Sequence, residues 1–341
     1  MTTTAAPATP RAVPAPPAPR GPVSAAITAA LRRPPPAGPL PCDEAARADP
    51  YGDDLQLALH LCYELHYRGF AGTDPAWEWD PELLRLRGAL EDVFLRALRD
   101  EVAGGTDLDG ELSALLTEPV EGTGVSHHLV GEGTWEHLRE FFAHRSVYHL
   151  KEADPHAWVI PRLRGRAKAA LVAVEFDEYG GGRAERVHAT LFADLLAAAG
   201  LDPGYGGYVP VAPAVALAPV NLMSCLGLHR ALRGALVGHF TAAEITTAPS
   251  ARRLVRALDR LAAPEPCRRF YREHIEADAV HEQVMRHEVI GGLLTDEPDL
   301  AADVVFGIQA TNVLEERLGG HLLDHWRRGV TSLREPLPGA S

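Results

Sequence analysis

His274, Asp278 and His281 are the residues on which chemistry is most readily built. They are separated by four and three positions, so on a helix of 3.6 residues per turn they fall within about 60° of one another. The result is one stripe of two imidazoles and a carboxylate, a donor set that suits redox-active iron or manganese. A solvated His/Asp face has the same spacing, and the stripe alone does not decide between the two.

Upstream segments supply matching donors. Glu244 sits among Leu232, Ala235, Leu236, Phe240 and Ile245, a poor place for an unpaired carboxylate. His188 follows Glu185 at the ExxH spacing of di-metal bundles, and Glu178 precedes both in Asp177-Glu178-Tyr179-Gly180. Glu152 opens the segment Glu152-Ala153-Asp154-Pro155-His156. In chain order these are a carboxylate, a carboxylate with histidine, a carboxylate, and HxxxDxxH, as four inward-facing segments of a carboxylate-bridged di-iron site would supply them.

Rival motifs fail. His281-Glu282 begins like a zinc-protease helix, but the next histidine is His287, turned about 240° away. Neither a GxSxG elbow nor a GxxxxGK[ST] loop occurs. Gly180, Gly181 and Gly182 read as a helix breaker rather than a phosphate cradle. Trp77, Trp79 and Trp158 read as packing anchors, and His127-His128 and Arg252-Arg253 as surface residues.

The elements that must position these donors are helices. The chain has 341 residues, 46% hydrophobic and 6% aromatic, enough for a sizeable core, and alternating strand patterns are scarce. A crowded apolar run around Leu55 to Leu65 predicts a buried helix, Pro81 opens a second, and Thr134 caps a third to about Phe142. Further helical patterns cover about 161–177, 184–199, 219–246, 250–261, 267–294 and 300–328. Residues 1–41 hold 12 of the 28 prolines and no acidic residue, and are expected to form a disordered lead without a chemical role. The expected architecture is an all-α bundle of long helices, with an N-terminal helical portion over 42–148 packed on the core, a di-iron bundle over 149–332 and a tail over 333–341.

Charge and cysteines bound the partners. The net charge of -13 opposes attraction to phosphate-rich polymers and anionic membranes, so neither nucleic acid nor a membrane is expected. Prolines and polar residues interrupt the longest apolar stretches, and neither a membrane span nor a secretory signal is expected. Cys42, Cys62, Cys225 and Cys267 form no CxxC pair, and a reducing cytoplasm is the expected location.

The segments Glu152-Ala153-Asp154-Pro155-His156, Asp177-Glu178-Tyr179-Gly180, His188 with Leu191-Phe192, Glu244, and His274-xxx-Asp278-xx-His281 resemble the haem-oxygenase-like di-iron oxidases, often labelled iron-containing redox enzymes. The resemblance covers about residues 50–330 and implies a haem-oxygenase-like fold that binds non-haem iron. It places six ligands on Glu152, His188, Glu244, His274, Asp278 and His281. Nitrogen-oxygenating members add a glutamate, which falls on Glu178 rather than on its competitor Glu185. The activity implied by the resemblance is that of an O2-dependent enzyme with two ferrous ions, converting an amine or guanidine nitrogen of a small metabolite in natural-product biosynthesis. Its expected partners are a small-molecule substrate, an external electron donor or reductase, and a second copy in a homodimer. Oxidative C–C cleavage or desaturation of an amino acid or fatty acid is the alternative within the family, and a metal-free helical binding protein the alternative outside it.

Overall fold

The computed structural model describes residues 13–36, 38–117 and 122–338, and among these there is no strand. The helices are α1 (Pro22–Ala30), α2 (Asp53–Glu64), α3 (Pro81–Glu101), α4 (Leu108–Leu116), α5 (Val125–Gly131) and α6 (Trp135–His149). After α6 come α7 (Gly165–Glu178), α8 (His188–Ala198), α9 (Ala214–Leu228), α10 (Arg233–Arg260), α11 (Glu265–Gln283), α12 (Gly291–Asp296) and α13 (Ala301–Arg327), with single helical turns between some of them. A π-helical stretch, Val284–Ile290, joins α11 to α12 without a break.

Local chemistry sets several boundaries where the sequence places them. The Asp80 carboxylate accepts from the backbone N–H groups of Glu82 and Leu83, with Pro81 in the first turn of α3. Thr134 Oγ accepts from His137 N–H to cap α6, which runs seven residues past Phe142 to His149. Helix α2 is buried from Leu55 to Glu64, so it carries no solvent face. Helices α4 and α5 were not anticipated.

The expected disordered lead is corrected for its described part; residues 1–12 and 37 lie outside the described residues. Helix α1 buries Val23, Ile27 and Ala30, and Leu31 after it. Its cap comes from another helix. Asp54 accepts from the N–H groups of Val23 and Ser24 at 2.9 and 2.8 Å and from Ser24 Oγ at 2.6 Å. Arg20 pairs with Asp53, and the Pro14 carbonyl accepts from Ala71 N–H. We expect Ile27→Ala to cost about 2–5 kcal/mol in urea unfolding, because the side chain is fully enclosed; a cost near zero would mean that α1 is undocked in solution. The expected tail is also partly placed. Leu333 and Leu337 are buried and Arg334 N–H donates to the Val211 carbonyl, while 339–341 lie outside the described residues.

A second correction concerns the pattern over 219–246. The chain bends by 107° between Ala214–Leu228 and Arg230–Arg260, and the later helix then continues through Pro249. The Arg162 guanidinium takes the carbonyls of Gly227 and Leu228, ending α9 from outside. Among the described residues no single helix is long and apolar enough to cross a membrane.

Helix α10 packs most extensively on α13 and α11. Its approach to α13 depends on two glycines. A Cβ on Gly238 would overlap the Val304 carbonyl, and one on Gly307 would overlap the Ala235 carbonyl. This close crossing fixes the height of α10, on which Glu244 lies six residues beyond Gly238. One hydrophobic core runs through the whole arrangement. Trp77 anchors in it with its indole N–H on the Arg33 carbonyl, and Trp158 packs edge-on against Tyr67. Trp79 does not serve as an anchor, being 67% exposed.

Candidate metal centre

Five stretches of chain converge in the core. Glu152 lies on the turn after α6, Glu178 ends α7, His188 begins α8, Glu244 is within α10, and α11 carries His274, Asp278 and His281. All seven are buried. Their donor atoms form two groups, each with its atoms within 4.8 Å of one another: Glu152, His188 and His274, and Glu178, Glu244, Asp278 and His281. The HxxxDxxH stripe is thus divided, His274 facing one group and Asp278 with His281 the other.

The glycine break brings Glu178 and His188 together. Gly180, Gly181 and Gly182 all have left-handed φ, at 75°, 61° and 79°. A Cβ on Gly180 would meet Val187 N at 2.6 Å, so position 180 admits only glycine on both counts. The reversal sets Glu178 Oε2 2.7 Å from His188 Nδ1. Glu178 Oε1 lies 3.4 Å from His281 Nδ1, so this carboxylate touches a member of each group. Glu185 is exposed on the turn Ala184–Arg186 and belongs to neither.

Orientation comes from neighbours. His274 Nδ1–H donates to the Phe270 carbonyl at 2.8 Å, which leaves Nε2 bare and 3.6 Å from Glu152 Oε1. His149 Nδ1–H donates to Glu152 Oε2 at 2.9 Å. His281 turns Nδ1 toward Glu244 Oε2 at 3.2 Å and Nε2 toward Asp177 Oδ2 at 3.2 Å. Sequence reasoning passed over His149 and gave the exposed Asp177 no role; the HxxE spacing of His149 to Glu152 was the available signal for the first.

The electrostatics of the cluster call for cations. Burial alone would lower both imidazoles, yet the hydrogen bond and charge of Glu152 raise His274 to about 10, and Glu178 and Glu244 raise His281 to about 11. Burial and neighbouring carboxylates push Glu244 and Asp278 upward. Burial opposes His188 at Glu178, and the histidine prevails to hold that carboxyl at about 2. His188 Nδ1 and His274 Nε2 are buried with no hydrogen-bond partner, although carboxylate oxygens lie close by. Nitrogens and carboxylates crowded together without hydrogen-bond alignment fit divalent metal, and a His/carboxylate donor set suits iron. Glu91, Cys225 and His229 form a third close group, but Glu91 Oε1 is already taken by Tyr63 O–H at 3.1 Å and Arg87 at 3.2 Å.

A family model described as "iron-containing redox enzyme" matches residues 139–316, a span that contains all seven donors. A curated relative, nitrosourea synthase of Streptomyces achromogenes subsp. streptozoticus, is 28% identical over 240 residues, 68% of this chain and 51% of the relative. The chain therefore spans about half the length of that relative.

Proposed function

Because the chain belongs to the iron-containing redox enzyme family, an oxidoreductase family with the all-α haem-oxygenase-like fold, we propose that it is an O2-dependent di-iron oxidase that N-oxygenates an amine or guanidine nitrogen of a small metabolite. Glu152, His188 and His274 would hold one ferrous ion and Glu178, Glu244, Asp278 and His281 the other. The observation that carries the reading is that Glu178 contacts a histidine of each group, which supports the extra-glutamate role that the resemblance implies for it. The similarity to nitrosourea synthase supports the same choice, since a nitrosourea carries an oxidised nitrogen.

Bound iron would supply the electrons and open coordination positions that O2 requires. The protein's own part is positional. The Phe270 carbonyl fixes the tautomer of His274, His149 holds one oxygen of Glu152, and Asp177 receives the outer nitrogen of His281. Burial of all seven donors keeps bulk water from the reacting nitrogen. Conversion of R–NH2 to R–NHOH consumes O2, two electrons and two protons and releases one water. An external electron donor or reductase completes the reading.

The test is mass spectrometry of reactions containing iron-loaded protein, a reductant, 18O2 and a panel of amines and guanidines. The expected product carries 18O on nitrogen. Products altered only at carbon would replace this reading with oxidative C–C cleavage or desaturation.

A further inference from the structure

Glu175 lies one helical turn before Glu178 on α7 and is only 2% exposed. It shares the inward face of that helix with Leu171, Val174 and Glu178, whereas Val172 and Phe176 point to solvent. Both of its carboxylate oxygens are buried with no hydrogen-bond partner among the described residues. A buried carboxylate left wholly unpartnered is costly and calls for an explanation. It belongs to neither donor group of the metal centre.

Charge points to what the partner is. The four carboxylates of the two groups, Glu152, Glu178, Glu244 and Asp278, match the four positive charges of two ferrous ions. Glu175 is a fifth carboxylate that forms no ion pair among the described residues. Burial, then Glu178, Glu244 and Asp154, push its carboxyl up to about 9, while His281 draws it down. The same environment that disfavours a lone negative charge favours the arrival of a single positive one. Two free oxygens can accept parallel N–H donors from a guanidinium or two of the three from an ammonium.

We propose that Glu175 anchors a cationic nitrogen group, ammonium or guanidinium, of the substrate beside the metal centre. The nature of the ligand rests on the nitrogen-oxygenating reading; the unpartnered burial of Glu175 does not. Anchoring there sets the substrate one turn of α7 from Glu178 and gives the site a preference for cations over neutral isosteres.

Ferrous-loaded protein under argon, titrated calorimetrically with butylguanidine, butylamine and the neutral isostere butylurea, tests the anchor. Wild type is expected to bind at least one of the cations roughly tenfold or more tighter than butylurea, and the tighter cation identifies the group. Glu175→Gln should erase the preference, Glu175→Asp should restore part of it, and both should keep the full iron content. The melting temperature of iron-loaded Glu175→Gln should stay close to that of wild type, since a carboxyl pushed up to about 9 is neutral near pH 7 and the amide is its neutral isostere. Any of four results overturns the anchor: no preference in wild type, a preference that survives Glu175→Gln, iron loss in that variant, or its failure to fold. Cation binding through Glu175 with products unchanged at nitrogen would instead remove the nitrogen-oxygenating reading and leave the anchor standing. Nitrogen-oxidised products alongside unaltered binding in Glu175→Gln would do the reverse.

Discussion

Glu178→Ala is expected to reduce bound ferrous iron from two equivalents per chain to one or fewer and to abolish turnover. Of the seven donors, Glu178 is the one whose two oxygens approach histidines of different groups, His188 at 2.7 Å and His281 at 3.4 Å. Removing it strips a carboxylate from His281, Glu244 and Asp278 and leaves a void beside His188 in a site enclosed by the core. A lost ligand weakens affinity by more than the 10–100-fold typical of an outer partner. Glu185→Ala should retain both ions and full activity, because that side chain stands in solvent on the turn before α8. Metal content after anaerobic loading and desalting reads both variants. Iron lost from Glu185→Ala and retained by Glu178→Ala would reinstate the ExxH spacing and remove the main support for nitrogen oxygenation.

Lys151→Met is expected to destabilise the fold by about 3–5 kcal/mol at neutral pH, the cost of leaving one member of a buried ion pair alone. Lys151 Nζ lies 2.7 Å from Glu64 Oε2, and both side chains are almost wholly enclosed. The ammonium also faces the ring of Tyr67 at 4.4 Å. Burial would raise the Glu64 carboxyl, but the charge and hydrogen bond of Lys151 override it and hold the group below the usual carboxylate value of 4.5. A carboxyl depressed by folding contributes stability above its unfolded pKa and loses it as pH falls through the folded value. The gap between wild type and Lys151→Met should therefore be widest near pH 7 and shrink below about pH 4.5. Urea unfolding across that range measures it, with Glu64→Gln/Lys151→Met expected to recover part of the loss. A gap that stays constant with pH would show that the pair is not ionised. Because Lys151 immediately precedes Glu152, the same variant is expected to loosen the turn that presents a metal donor.

The sequence was most informative where a function is carried by spacing on one helix. The stripe His274, Asp278, His281 follows from helical geometry alone, and the Asp80-Pro81 and Thr134 starts follow from local capping chemistry. Glu178 was harder to read, since ten residues of straight helix would point it away from His188. Three consecutive left-handed glycines reverse the chain and bring the two together. Apart from His149, whose partner Glu152 is three residues on, most of what escaped sequence reasoning has its partner distant in the chain. Helix α1 is capped by Asp54, thirty residues from Ser24, and α9 is ended by Arg162 from another segment. Asp177 is an exposed acid, and only the fold shows that it stands 3.2 Å from His281, 104 residues later. Glu175 stands out only when burial shows that no hydrogen-bond partner among the described residues answers it.

The central claim is that this buried cluster is a two-ion iron centre with chemically unlike halves. The most direct measurement is the Mössbauer spectrum of protein loaded anaerobically with 57Fe(II) and then desalted. Two retained equivalents per chain and two distinct high-spin ferrous doublets are expected, because one ion would have two imidazoles and a carboxylate while the other has one imidazole and three carboxylates. A single equivalent, or iron that washes away on desalting, would contradict it.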